Sequence, residues 1–154
     1  MATGNVGGDN IRTIQVKYTP GPELLAMMRD FQAMANHLLA YALHKRIKSA
    51  RELRDAQYDW FERNYGGRYA VHYLHSACSY AAGIAQSWRE IGKARMPHLQ
   101  RPIARLDQML VKVKRKDENG IRLQITIAPR QYAYLDLKVR HKKWKEWNQC
   151  KLGE

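Results

Sequence analysis

The feature that most constrains the fold is a change of hydrophobic period near residue 92. Before it, apolar residues recur every three or four positions, as on one face of a helix. After it, they alternate with polar residues, as in strands that are buried on one side. Asn119-Gly120, the dipeptide most typical of a tight hairpin turn, interrupts this second part. Helices followed by an antiparallel hairpin predict an α+β protein.

Three helices are predicted before the change of period, over residues 22–48, 49–64 and 68–91. Ser49 followed three positions later by Glu52 fits a capping box at the start of the second helix. Gly66-Gly67 and Gly92 are placed to end the second and third helices. The first helix carries one broad apolar stripe that predicts a core: Leu24, Met27, Met28, Phe31, Met34, Ala35, Leu38, Leu39 and Ala42.

Strands are predicted on both sides of the helices. Ile14, Val16 and Tyr18 alternate with polar residues, which predicts a first strand over residues 11–18. Residues 109–114 and 121–127 form the hairpin, and residues 134–139 form a further strand. We therefore expect a three-helix lobe inserted after the first strand of a small antiparallel β-barrel-like (OB-like) unit, preceded by a flexible tail over residues 1–10.

The charge of the chain points to its partner. Lys and Arg total 27 against 14 Asp and Glu, a net charge of +13. Residues 1–92 carry 11 basic and 8 acidic side chains, net +3, and residues 93–154 carry 16 and 6, net +10. An excess of this size favours a polyanion as partner, because binding phosphates releases condensed counterions. The alternative is a surface that is basic only for solubility.

The candidate binding residues lie in the basic C-terminal part. Cations there can hold phosphates while interleaved aromatic rings stack on bases. The alternative is that the rings belong to the core and the cations only face solvent. The candidate phosphate contacts are Arg95, Arg101, Arg105, Lys112, Lys114, Arg122, Lys142 and Lys143, and the candidate stacking residues are Tyr132, Tyr134 and Trp144.

No catalytic, metal or cofactor site is predicted. The chain has neither a GxSxG nucleophile motif nor a phosphate-binding P-loop. His72, His75 and Cys78 are spaced along one helix, but His72 and Cys78 are about 240° apart around its axis, so packing is favoured over zinc binding. The acidic residues of the second helix alternate with arginines, which favours a solvated face. Two cysteines and no long apolar run predict a reduced, cytoplasmic protein without a membrane span.

Several strings in this order resemble the N-terminal region of TnpB proteins, the OrfB-type transposases of small insertion sequences. They are residues 11–18, residues 31–36, residues 93–97 leading to Arg101-Pro102, and residues 125–129, and the resemblance covers residues 11–154. TnpB proteins are RNA-guided DNA endonucleases related to type V CRISPR effectors. The resemblance implies a wedge-like β domain over residues 11–20 and 101–154 and a helical recognition-like lobe over residues 21–100.

The resemblance implies structured RNA and/or duplex DNA as partners, held through backbone and shape. The family's RuvC-like nuclease domain lies further C-terminal, and no acidic residue here matches its catalytic ones, so the chain alone is not expected to be an enzyme. Three alternatives remain open: half of a split nuclease acting with a separate RuvC-like chain, a helical protein-interaction module, and a domesticated DNA-binding regulator.

Overall fold

A computed structural model describes residues 13–92 and 95–149. Three long helices come first, α1 (Pro22–His44), α2 (Ala50–Tyr65) and α3 (His72–Ile91). A three-stranded sheet follows, with β1 (Val111–Lys116), β2 (Gly120–Ala128) and β3 (Gln131–Lys138), and then one helical turn, α4 (Trp144–Trp147). The predicted α+β class is confirmed.

The helices pack through the apolar stripes that the spacing predicted. Eight of the nine stripe residues of α1 are buried, and Met28 is half-buried. On α2, Leu53, Gln57 and Phe61 are buried. The helical stripe is thus buried within the chain.

The ends of the helices are set by short-range hydrogen bonds. The Ser49 side chain accepts the amide N–H of Glu52 at 3.1 Å, as predicted for the cap of α2. Helix α1 ends at His44 rather than near Lys48, because Arg46 adopts a left-handed conformation (φ 55°) and Ile47 folds back into the core. The Ile47 amide then donates to the carbonyl of Ala42 at 2.9 Å, as in a Schellman ending.

The predicted start of the third helix is too early by four residues. Residues 68–71 instead form the connection from α2 to α3, and α3 begins at His72. The amide of Ala70 donates to the carbonyl of Ile127 in β2 at 2.9 Å. A contact with a strand that is distant in the chain therefore moves this boundary.

The sheet is an antiparallel meander in the order β1-β2-β3. Val111 lies opposite Ile125, which in turn lies opposite Ala133. Each pairing has one irregularity, where Lys114 and Ile127 are the extra residues. Residues 117–119 connect β1 to β2, so the predicted hairpin is confirmed, with Gly120 as the first residue of β2. Gly120 is required there, since a Cβ on it would overlap the carbonyl oxygen of Leu137.

The strand predicted over residues 11–18 is not formed within its described part, residues 13–18, and residues 11 and 12 lie outside the described ranges. Alternation of apolar and polar residues specifies a buried side, but a strand also needs a hydrogen-bonded neighbour. Tyr18 instead lines an apolar cavity between α1 and the sheet. The three strands of the described ranges form an open sheet, so the unit expected to be barrel-like does not close into a barrel there.

One hydrophobic core joins the helices to the sheet. The buried side chains of the three helices continue into Leu110, Ile125 and Ala133. The Tyr73 hydroxyl donates to the carbonyl of Thr126 at 2.7 Å and fixes α3 to β2. In the described ranges, no helix combines the length and apolar composition needed to cross a membrane.

Candidate nucleic-acid interface

The two faces of the sheet follow from strand pairing. Ile125 and Ala133 are buried against the helices, so the residues that alternate with them point the other way. We call this second side the outer face. Its positions are Lys112 and Arg115 on β1, Arg122, Gln124 and Thr126 on β2, and Tyr132, Tyr134, Asp136 and Lys138 on β3.

Two aromatic rings stand exposed on the outer face. Tyr132 and Tyr134 are 46% and 53% exposed, and the residue between them, Ala133, points into the core. The guanidinium of Arg122 lies 4.9 Å from the ring centroid of Tyr134, within the range of a cation–π contact. Two of the three predicted stacking residues are therefore side by side and accessible.

The cations of the outer face differ in how strongly they are neutralised. Arg122 lies 3.6 Å from Asp136, and Arg115 lies 3.4 Å from Asp117. These pairs are substantially exposed, so each contributes little to stability. Lys112 and the neighbouring bulge residue Lys114 are exposed and form no ion pair with any residue of the described ranges. Of the predicted phosphate contacts on the sheet, these two lysines are therefore the ones that no carboxylate of the described ranges neutralises.

Trp144 does not offer a stacking surface. It is 2% exposed, and its indole N–H donates to the carbonyl of Asp117 at 2.9 Å. The stacking role predicted for Trp144 is therefore replaced by a packing role: it fastens α4 to the turn between β1 and β2. Lys142 and Lys143 precede this helix and are exposed, and the Lys143 ammonium lies 5.7 Å from the ring of Trp147. The two lysines thus extend the basic surface at the hairpin end of the sheet.

The three predicted arginines of the connection belong to a different surface. The Arg95 carbonyl accepts the indole N–H of Trp88 on α3 at 2.7 Å, and the Arg105 guanidinium lies 5.9 Å from the ring of Tyr80 on the same helix. Arg101 lies between them and is exposed. The connection follows the helices because the Asn36 side chain holds the backbone of Leu99 through two hydrogen bonds, of 2.8 and 3.0 Å.

Arg105 also lines a groove of about 500 Å³ between α3 and the connection. The rest of its lining is mainly apolar, including Ile84, Trp88 and Pro97. The predicted binding residues are therefore divided between the outer face with its hairpin end and this helical side.

Sequence reasoning missed two polar residues of the outer face, Gln124 and Thr126. They lie on β2 directly beside Tyr134 and Tyr132, respectively. Gln124 is mostly covered by its neighbours, whereas Thr126 is half-buried, so the Thr126 hydroxyl is the more accessible of the two. Amide and hydroxyl groups are donors and acceptors of the kind that read base edges. The strict alternation of β2 placed both residues on the polar side, but only the register places them next to the tyrosines.

The histidines and cysteine of α3 do not form a metal site. The rings of His72 and His75 are in edge contact, with centroids 5.0 Å apart, whereas Cys78 is buried in the core. The pKa of His75 is lowered mainly by burial, and the positive charge of Arg54 lowers it further. Within residues 13–92 and 95–149, no group of three or more His, Cys, Asp or Glu side chains is arranged to hold a metal ion.

The fold and this surface define a small, basic α+β protein with an aromatic and cationic sheet face. Residues 27–126 match the family described as the Uncharacterized protein MJ0013 family, and the chain belongs to this family. The match extends from α1 into β2, so Tyr132 and Tyr134 lie beyond it.

A relative named Uncharacterized protein MJ0752, from Methanocaldococcus jannaschii, is 32% identical over 74 residues. The aligned region makes up 48% of this chain and 95% of the relative. No solved structure matches the chain. Neither the family nor the relative is named for an activity, so the function is inferred from the surface itself.

Proposed function

We propose that the chain is a nucleic-acid-binding module whose outer sheet face contacts the polymer. The observation that carries this proposal is the exposed pair Tyr132 and Tyr134, located on the same face as Lys112 and Arg122. Rings supply stacking surfaces that every base can use, and cations neutralise phosphates, so the combination suits nucleic acid better than either feature alone. The net charge of +13 supports the same partner.

The resemblance to TnpB proteins adds a further element to the proposal, namely guide RNA or target DNA as the bound polymer. The chain would contribute binding, and any cleavage would come from a separate nuclease chain. Cytoplasmic placement belongs to the same proposal. It is supported by the low cysteine content, two residues in the chain, since proteins of oxidising compartments more often carry a disulfide framework.

A salt titration of binding tests the proposal. We expect log K for a labelled RNA or DNA to fall linearly with log[salt], with a slope of roughly −0.7 to −0.9 per phosphate contacted. Replacing Lys112 and Lys114 by alanine is expected to make this slope shallower by roughly 1.4 to 1.8, because two contacts are lost. Fluorescence anisotropy provides the measurement.

The matched control is the double variant Lys45→Ala, Lys48→Ala. It removes the same charge from exposed positions at the far end of α1, and it should leave the slope nearly unchanged. Failure to bind RNA or DNA even at low salt would contradict the proposal. Equal effects of the two double variants would show that net charge, and not the outer face, drives binding.

A further inference from the structure

The outer face is organised as three parallel columns of side chains, one for each strand. Strand β1 presents cations, and β3 presents two aromatic rings, followed by Asp136 and Lys138. Between them, β2 carries an amide, a hydroxyl and the guanidinium of Arg122. Lys112, Gln124 and Tyr134 lie in one row across the sheet. Neighbouring strands are about 4.8 Å apart, so roughly 10 Å separates the cation column from the aromatic column. A polymer with phosphates on one side and bases on the other fits this arrangement.

We infer that the outer face selects single-stranded nucleic acid, with two successive bases stacked on Tyr132 and Tyr134 and the phosphates along β1. This inference rests on the proposed function and specifies its ligand. In a duplex, each base face is covered by its neighbours, so only unpaired bases offer a face to a protein ring.

The spacing of the two tyrosines also supports a single-stranded ligand. They are two residues apart on one strand, which places their backbone positions about 6.6 Å apart. Stacked bases follow each other at about 3.4 Å per strand. Two adjacent bases therefore reach the two rings only when the strand is stretched to about twice its stacked rise. A single strand can do this freely, whereas a duplex would have to unstack its base pairs at a cost of about a few kcal/mol per step.

Arg122 prepares one of the two rings for stacking. Its guanidinium lies over Tyr134 at 4.9 Å and is also held by Asp136 at 3.6 Å. One face of the ring is thus in contact with a cation, and the residue is still 53% exposed, so ring surface remains for a base. Because the Tyr134 ring already contacts Arg122, it has less side-chain freedom to lose when a base binds, which favours affinity.

The test compares a single-stranded oligonucleotide with the duplex of the same sequence, each as RNA and as DNA. We expect Tyr132→Ala and Tyr134→Ala each to weaken single-strand binding by roughly five- to hundredfold, the fold-change that corresponds to the stacking energy of one base. Binding of the duplex should change by less than about twofold, because its bases do not reach the rings. Tyr→Phe at either position keeps the ring and should retain the affinity.

Tyr58→Ala is the matched control, since Tyr58 is also 46% exposed but belongs to α2, which packs against α1 and α3. It should change neither affinity. An oligonucleotide with 2-aminopurine adds a second readout, because its fluorescence should be quenched by stacking on the wild-type protein and less so on Tyr134→Ala. Circular dichroism confirms that each variant is folded.

The outcomes separate this inference from the proposed function. If the tyrosine variants bind the single strand as tightly as the wild type, while the lysine variants bind more weakly, single-strand selection is overturned and nucleic-acid binding remains. A preference for duplex that the tyrosine variants do not alter overturns single-strand selection in the same way. If neither form binds at low salt, both proposals fail.

Discussion

Cys78 is the residue whose ionisation most clearly links burial to stability. It lies in the core on α3, and its burial raises the pKa of its thiol to about 12. A thiol in an unfolded chain ionises near about pH 8.5. Between these two values the unfolded chain loses a proton that the folded chain keeps, so stability is complete below the window and declines as the pH rises through it.

We therefore expect the free energy of unfolding to fall by up to about 1.4 kcal/mol per pH unit above about pH 9. Urea unfolding from about pH 8 to about pH 10 measures this decline, and Cys78→Ala should make it shallower. Burial also raises the pKa of Tyr69 and Tyr73. Both tyrosines are present in the wild type and in Cys78→Ala, so they do not account for a difference between the two. An identical decline in the wild type and the variant would contradict the expectation.

At the scale of single elements, two glycines have opposite roles. Gly83 lies within α3, and a Cβ added there would meet no atom within 4 Å. Gly120 begins β2, and a Cβ there would overlap the carbonyl oxygen of Leu137 in β3. One glycine is therefore a weak point of a helix, and the other permits the close approach of two strands.

The two alanine variants form a matched pair. We expect Gly83→Ala to stabilise the protein by about 0.5 to 1 kcal/mol, because alanine reduces the freedom of the unfolded chain and favours the helix. We expect Gly120→Ala to destabilise it by more than about 2 kcal/mol, since the strands must separate locally. Thermal unfolding compares the two, and a stabilised Gly120→Ala variant would show that the close approach is not required.

At the scale of the whole molecule, the junction between α3 and β2 decides whether helices and sheet unfold together. The Tyr73 side chain is buried, and its hydroxyl donates to the carbonyl of Thr126 at 2.7 Å, close to the backbone contact of Ala70 with Ile127. Because the core is continuous across this junction, we expect a single unfolding transition.

Tyr73→Phe keeps the ring and removes only the hydrogen bond. We expect it to lower the free energy of unfolding by about 1 to 2 kcal/mol, since the Thr126 carbonyl loses its side-chain donor in a mostly buried place. Far-UV circular dichroism reports on the helices, and tryptophan fluorescence includes Trp144 beside the sheet. The two transitions should coincide in the wild type and in the variant, and separate midpoints would indicate that the two parts unfold independently.

The sequence by itself determined the local elements of this protein. Three of these elements are the stripe of α1, the Ser49 cap of α2 and the hairpin of β1 and β2. Each depends on residues that are close in the chain, so the pattern along the chain is sufficient to predict them. It also determined the concentration of positive charge after residue 92. These properties follow from the order of residues along the chain and need no knowledge of tertiary contacts.

Tertiary structure alone decided which predicted binding residues come together. Trp144 and Tyr134 are both aromatic residues in a basic stretch, yet a contact with Asp117 buries the first, while the register with β2 leaves the second exposed. Arg105 lies over Tyr80 on α3. It does so because Asn36 holds the connection at Leu99, 63 positions further along the chain. Burial and pairing of this kind depend on long-range contacts, whose partners the local pattern does not name.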